Sequence, residues 1–132
     1  MIVVDASVVI RHLTAADERP LVDLVRSERL AAPELLIAEI CNALATMERH
    51  EQIPGHLALS MVSQLHDLID HLFPMEPLAG RAFELAAELR HPAYDCFYLA
   101  LAEAERTVLV TADRRLLSRL AGTRYQSLAR SI

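Results

Sequence analysis

The sequence predicts an α/β fold: a three-layer α/β/α sandwich on a short, mainly parallel sheet of roughly five strands. Two observations carry this. Ile2–Val4 and Thr107–Thr111 are short, apolar and β-branched, as strands covered on both faces are. Helical patterns separate the strand candidates, and strand–helix alternation is the mark of a parallel sheet. Helices outweigh strands, and scarce glycines (Gly55, Gly80, Gly122) suit short connections.

The elements follow in order. "MIVVDASVVIRHL" holds the strand Ile2–Val4, then Asp5, then a short helix over Ser7–Thr14. Arg19–Glu28 reads as a second short helix and Leu30–Ala32 as the second strand. "PELLIAEICNALATMERH" (Pro33–His50) starts with Pro then Glu, a helix-start signal. "PGHLALSMVSQLHDLIDH" (Pro54–His71) keeps Leu57, Met61, Leu65, Leu68 and Ile69 at helical spacing. Leu72–Met75 is the third strand candidate, and Pro74 marks it as an edge. "PLAGRAFELAAELR" and "PAYDCFYLALAEAER" each open a helix with Pro. Thr107–Thr111, a helix over Ala112–Ala121 and a last strand over Arg124–Leu128 complete the chain.

The 132 residues are enough for one domain with its own core and too few for two. No charge-free run of apolar residues is long enough for a membrane span, and the N-terminus lacks a basic leader region. Cys41 and Cys96 have no close-spaced partner and read as reduced, buried thiols of a cytoplasmic protein. The net charge of −5 argues against a generic duplex binder, whose affinity rests on cations against phosphate. It leaves room for a metal-dependent enzyme acting on nucleic acid, since bound divalent cations offset much of it.

All 13 basic residues are Arg. The absence of Lys removes Schiff-base chemistry and the phosphate loop ending in Gly-Lys-Ser/Thr. It also weakens receiver domains and haloacid-dehalogenase-like phosphatases, which need a lysine beside their acids. "HEQIPGH" is no zinc-protease helix, because Pro54 stands where the second His belongs. His66 and His71 are five apart and do not share a helical face. There is no Gly-x-Ser-x-Gly elbow and no Gly-rich dinucleotide loop.

Four acids stand in unusual places. Asp5 directly follows the first strand, and Asp113 lies two residues past "TVLVT". Parallel strands bring both to the carboxyl edge of the sheet, where ligands bind; the plainer reading is a helix N-cap. Glu39 projects about 40° from Ala43, at the margin of an arc of Leu36, Ile37, Ile40, Cys41, Ala43, Leu44 and Met47. A carboxylate half drawn into a core wants a partner, unless it snorkels to the surface. Asp95 sits in the first turn of an apolar helix striped by Tyr94, Phe97, Tyr98 and Leu101, where acids also favour the dipole. No basic residue is placed in sequence to neutralise all four. A cation is the natural solution, and all-oxygen ligation selects Mg²⁺ or Mn²⁺ over Zn²⁺.

On "VVDASVV", "PELLIAEICNAL", "YDCFYLALA" and "LVTADRRLL", in this order and over nearly the whole chain, the sequence resembles the PIN-domain ribonucleases. Within them it is most similar to the VapC-type toxins of bacterial toxin–antitoxin pairs. The resemblance implies a metal-dependent endoribonuclease with Asp5, Glu39, Asp95 and Asp113 as the catalytic and metal-binding quartet. It gives Ser7, Asn42 and Thr111 supporting roles beside the acids. It implies hydrolysis of RNA, transfer RNA among the targets, a small antitoxin partner and a homodimer. The metal would acidify a water, orient it in line and offset charge on the phosphorane, through one ion or two.

From the residues themselves, Arg11, Arg114, Arg115 and Arg119 follow the two strand-end acids and suit RNA phosphates, or else form an ordinary solvated face. Val8, Val9, Leu13, Leu21 and Val25 put apolar surface on short helices beside the site, the composition of a partner interface. Two competing readings use the same fold. One is a non-catalytic interaction module that keeps its acids for capping. The other is a Mg²⁺-dependent phosphatase, disfavoured because the chain reads Asp5-Ala6-Ser7 in place of Asp-x-Asp.

Overall fold

Five short strands form one sheet in the order β3-β2-β1-β4-β5, and every pairing is parallel. They are β1 (Ile2–Val4), β2 (Leu30–Pro33), β3 (His71–Phe73), β4 (Leu109–Thr111) and β5 (Ala129–Ser131). The molecule is described here from a computed structural model covering residues 1–14 and 19–132, with residues 19–21 as backbone only. The expected contribution of Leu21 to an apolar surface therefore lies outside the described side chains.

The central strands are fully covered. Val3, Val4, Leu30, Ala31, Ala32, Leu109 and Val110 have no exposed surface. Covering such a side chain contributes roughly 1.5–3 kcal/mol, and this is why these runs are apolar without alternation. Eight helices surround the sheet among the described residues: α1 (Ala6–Thr14), α2 (Arg19–Ser27), α3 (Leu35–Arg49), α4 (Gly55–Ser63), α5 (Leu65–Leu68), α6 (Glu76–Leu89), α7 (Ala93–Ala104) and α8 (Arg114–Leu120). α7 lies against β1, β2 and β4, with α6 packed along it. Its buried run Cys96, Tyr98, Leu99, Ala100, Leu101 and Ala102 makes it the central helix, as its composition predicts.

The expected α/β sandwich is the one observed, with corrections at element ends. The helix expected over Pro54–His71 breaks at Gln64 into α4 and α5, and α5 ends at Leu68 because Ile69 turns extended and leads into β3. The Asp70 carboxylate then accepts the Leu30 N–H at 2.8 Å, pinning the entry of β3 to β2. β3 ends before Pro74 and is an edge strand. β4 begins two residues later than expected. The last strand is Ala129–Ser131, since Gln126–Leu128 form a 3₁₀ turn. Tyr125 is buried there with the Arg81 and Arg124 guanidinium groups against its ring, and its hydroxyl donates to Glu88 at 2.6 Å.

Three side-chain expectations also change. Val8 and Val9 face the core and Leu13 is half-buried, which leaves Val25 as the exposed member of that set among the described side chains. Ile37 and Cys41 are exposed, so the buried stripe of α3 narrows to Leu36, Ile40 and Leu44. Tyr94 is 65 % exposed, outside the α7 stripe. Among the described residues no helix is long and apolar enough to cross a membrane.

Candidate active site

The strand order reverses between β1 and β4. In open parallel sheets that switch point opens a crevice at the carboxyl ends of the strands. Asp5 follows β1 into this crevice and Thr111 closes β4 beside it. Asp5 is only 6 % exposed, and Thr111 is wholly buried.

Asp5 is held from three sides. Ser7 Oγ donates to Oδ1 at 2.5 Å and the Val8 N–H donates to the same oxygen at 3.2 Å. The Thr111 hydroxyl donates to Oδ2. Ser7 Oγ in turn accepts the Ala112 N–H at 3.0 Å, and Thr111 Oγ1 accepts the Asp113 N–H at 2.9 Å. The carboxylate thus caps the start of α1 and straps β1 to β4. The N-cap reading of Asp5 holds, and the residue stands at the carboxyl edge of the sheet. Burial pushes its pKa above the ordinary value; the bonds from Ser7, Thr111 and Val8 restrain the rise, and the charge of Asp95 adds to it.

Glu39 reaches the same crevice from α3, half-buried as its place on the helical wheel implies. The Tyr98 hydroxyl donates to its Oε2. Burial raises the Glu39 pKa, the Tyr98 bond opposes the rise, and the charges of Asp95 and Asp5 add to it. Burial and the bond to Glu39 push the Tyr98 phenol well above the usual range. Asp95 arrives from the first turn of α7. His91 Nε2 stands 2.5 Å from its Oδ2, and the His91 side chain is 9 % exposed.

Asp113 behaves differently. It is the N-cap of α8, accepting the Arg115 and Leu116 N–H groups at 2.8 and 3.3 Å. Its N–H donates to Thr111 Oγ1, the hydroxyl that also bonds Asp5. The charges of Asp5, Glu39 and Asp95 act on one another, and Ser7 and Thr111 hold Asp5. Asn42 is exposed, and its side chain bonds none of the acids among the described residues.

The donor set suits a hard divalent cation. It is all oxygen, partly desolvated and mutually repelling, and among the described residues Glu39, Asp95 and Asp113 each keep one carboxylate oxygen free of hydrogen bonds. The acids stand open all the same: among the described residues no three His, Cys, Asp or Glu groups are already close enough to hold an ion.

A cleft of ≈ 630 Å³ opens beside Asp95. Arg114, Arg115 and Arg119 of α8 line it, together with Arg90 and His91 from the turn before α7. Among the described residues no carboxylate lines it and none of these four arginines is ion-paired. Arg11 is exposed on α1 and does not line this cleft.

A family model for the PIN domain matches residues 2–122. The chain belongs to the PIN-domain family. Ribonuclease VapC9 of Mycobacterium tuberculosis is 34 % identical to it over 116 residues, 88 % of each chain. The solved structure of PAE2754 from Pyrobaculum aerophilum superposes with a TM-score of 0.72 at 27 % identity, covering 92 % of this chain and 80 % of that one. A toxin–antitoxin complex from Klebsiella pneumoniae shares the fold, with a TM-score of 0.66 at 14 % identity over 100 % and 96 % of the two chains.

Within this PIN domain, sequence reasoning missed His91, Arg90 and Tyr98. His91 and Tyr98 had a readable signal, at four residues before and three after Asp95, the spacings that share a helical face. Arg90 had none, because its place depends on the packing of α8 against the turn that follows α6.

Proposed function

We propose that this PIN domain is a metal-dependent endoribonuclease that hydrolyses RNA phosphodiester bonds, and the toxin of a toxin–antitoxin pair. The observation that carries the reading is the buried Asp5 beside Glu39 and Asp95 at the switch point, in a chain 34 % identical to a ribonuclease. Asp5, Glu39 and Asp95 would hold Mg²⁺ or Mn²⁺, with Asp113 joining from the start of α8. A divalent cation bound there supplies Lewis-acid chemistry, acidifying water and offsetting phosphoryl charge.

The chain's own groups do the rest. Ser7 and Thr111 keep the Asp5 carboxylate in one orientation, Tyr98 does so for Glu39 and His91 for Asp95. Fixed carboxylates need little reorganisation when they bind. The arginine cleft beside Asp95 supplies forked donors for the phosphates flanking the scissile bond. RNA, transfer RNA included, is the substrate, the protein is a cytoplasmic homodimer, and a small antitoxin is its partner. The toxin–antitoxin complex that shares this fold supports the last point.

The cleft gives a direct test of RNA engagement. Arg115→Gln with Arg119→Gln should weaken binding of a single-stranded oligoribonucleotide by EDTA-treated protein. The slope of log K against log salt should fall by roughly 0.7 for each phosphate the protein no longer neutralises. Fluorescence anisotropy over a salt series measures both, and an unchanged slope would take these arginines out of the RNA path.

A further inference from the structure

Tyr94 is the exposed aromatic nearest in sequence to the acids. It follows Pro92, the N-cap of α7, and directly precedes Asp95. A tyrosine ring 65 % exposed forgoes most of the stabilisation that burial would bring. Its neighbour one turn on, Tyr98, is 1 % exposed with its hydroxyl on Glu39.

Helix geometry locates the ring. Residues four apart share a face, about 6 Å apart along the axis. Tyr94 therefore stands one turn outward from Tyr98, and Asp95, the next residue, projects roughly 100° round the helix from it. His91 connects Asp95 to the arginine cleft, since its imidazole touches Asp95 at 2.5 Å while lining the cleft. A phosphate rail, a reacting centre and an exposed ring thus follow one another along the chain at the head of α7.

Resting on the nuclease reading above, we infer that Tyr94 is a platform on which one unpaired RNA base stacks while Arg90, Arg114, Arg115 and Arg119 hold the backbone. Charge decides the occupant. In a chain of net charge −5, a cleft with four arginines and, among the described residues, no acid fits a polyanion. A polyanion carrying exposed π faces uses both features at once, and proteins that track single strands combine a cationic groove with stacking aromatics. A paired base has both faces occupied by its neighbours, so the platform selects single-stranded RNA over duplex. Tyr94 is then a specificity-determining residue of the cleavage reaction.

The test uses EDTA-treated protein and a short oligoribonucleotide with 2-aminopurine placed at each position in turn, alone or annealed to its complement. Binding of the single strand should quench one position sharply in wild type and in Tyr94→Phe. Tyr94→Leu should lose that quench, bind the single strand on the order of tenfold more weakly and lose its preference over duplex. Phe83→Leu, an exposed aromatic on α6, serves as the control and should match wild type. Circular dichroism of Tyr94→Leu should be native, because the ring is outside the core. If wild type binds neither form of RNA, the nuclease reading and the platform fall together. If wild type binds RNA and Tyr94→Leu matches it in quench and in single-strand preference, the platform alone is overturned. A Tyr94→Leu protein that has lost only its affinity for a protein partner would overturn it likewise.

Discussion

Asp5→Asn is expected to cut RNA cleavage by orders of magnitude while leaving the fold intact. Asn keeps the shape of the side chain, and its amide oxygen still accepts the Val8 N–H at the start of α1. As a cap it is Asp's equal. The Ser7 and Thr111 hydroxyls can rotate to meet an amide in place of a carboxylate oxygen. What disappears is the negative charge at the switch point, and a neutral amide is a poor ligand for Mg²⁺. Glu39→Gln and Asp95→Asn should each cost about as much. The double variants should lose little more, because ligands of one cage act as a unit. Asp113→Asn separates the two roles of that residue: full activity would leave it a cap of α8 and nothing else. The readout is cleavage of total RNA beside circular dichroism of each variant.

The second large effect is on stability. In the metal-free protein Asp5 and Glu39 are partly desolvated carboxylates that repel Asp95, and both pKa values are raised. An acid with a raised folded pKa binds more protons folded than unfolded. Its contribution to stability is greatest below the unfolded value of about 4 and is lost as pH rises through the folded value. Metal-free protein should therefore melt higher as the pH is lowered from neutral toward the ordinary carboxylate value of about 4. Glu88 and Glu103 act in the opposite sense. Tyr125 and Arg124 hold Glu88 low, and Arg81 holds Glu103 low. Both are well exposed, so solvent screens them and the buried pair dominates. Mg²⁺ or Mn²⁺ at neutral pH should raise the melting temperature, because it binds the folded state alone. Asp5→Asn should melt no lower than wild type without metal and should lose most of the gain from metal. Thermal melts across pH, with and without Mn²⁺, read all of this.

Much of this was legible in the sequence, for local reasons. Ile2–Val4 is β-branched and unbroken, so its strand and the acid at its end could be placed from thirteen residues. Glu39 announced itself by its angle on α3 and Asp95 by its place in the first turn of an apolar helix. Elements whose ends depend on distant partners were misplaced. Asp70 helps set the entry of β3 through the Leu30 N–H, forty residues away. The chain before β5 curls next to Tyr125, whose ring packs against Arg81 from α6, a pairing no local pattern encodes. The arginine cleft is tertiary in the same sense. Its residues come from the turn after α6 and from α8, and only packing joins Arg90 to Arg119.

Chelation and resupply test the metal-nuclease claim most directly. Protein stripped with EDTA, dialysed and incubated with total RNA should be inactive, and Mn²⁺ or Mg²⁺ should restore cleavage to wild type but not to Asp5→Asn. Undiminished cleavage in EDTA, or full restoration in Asp5→Asn, would contradict it.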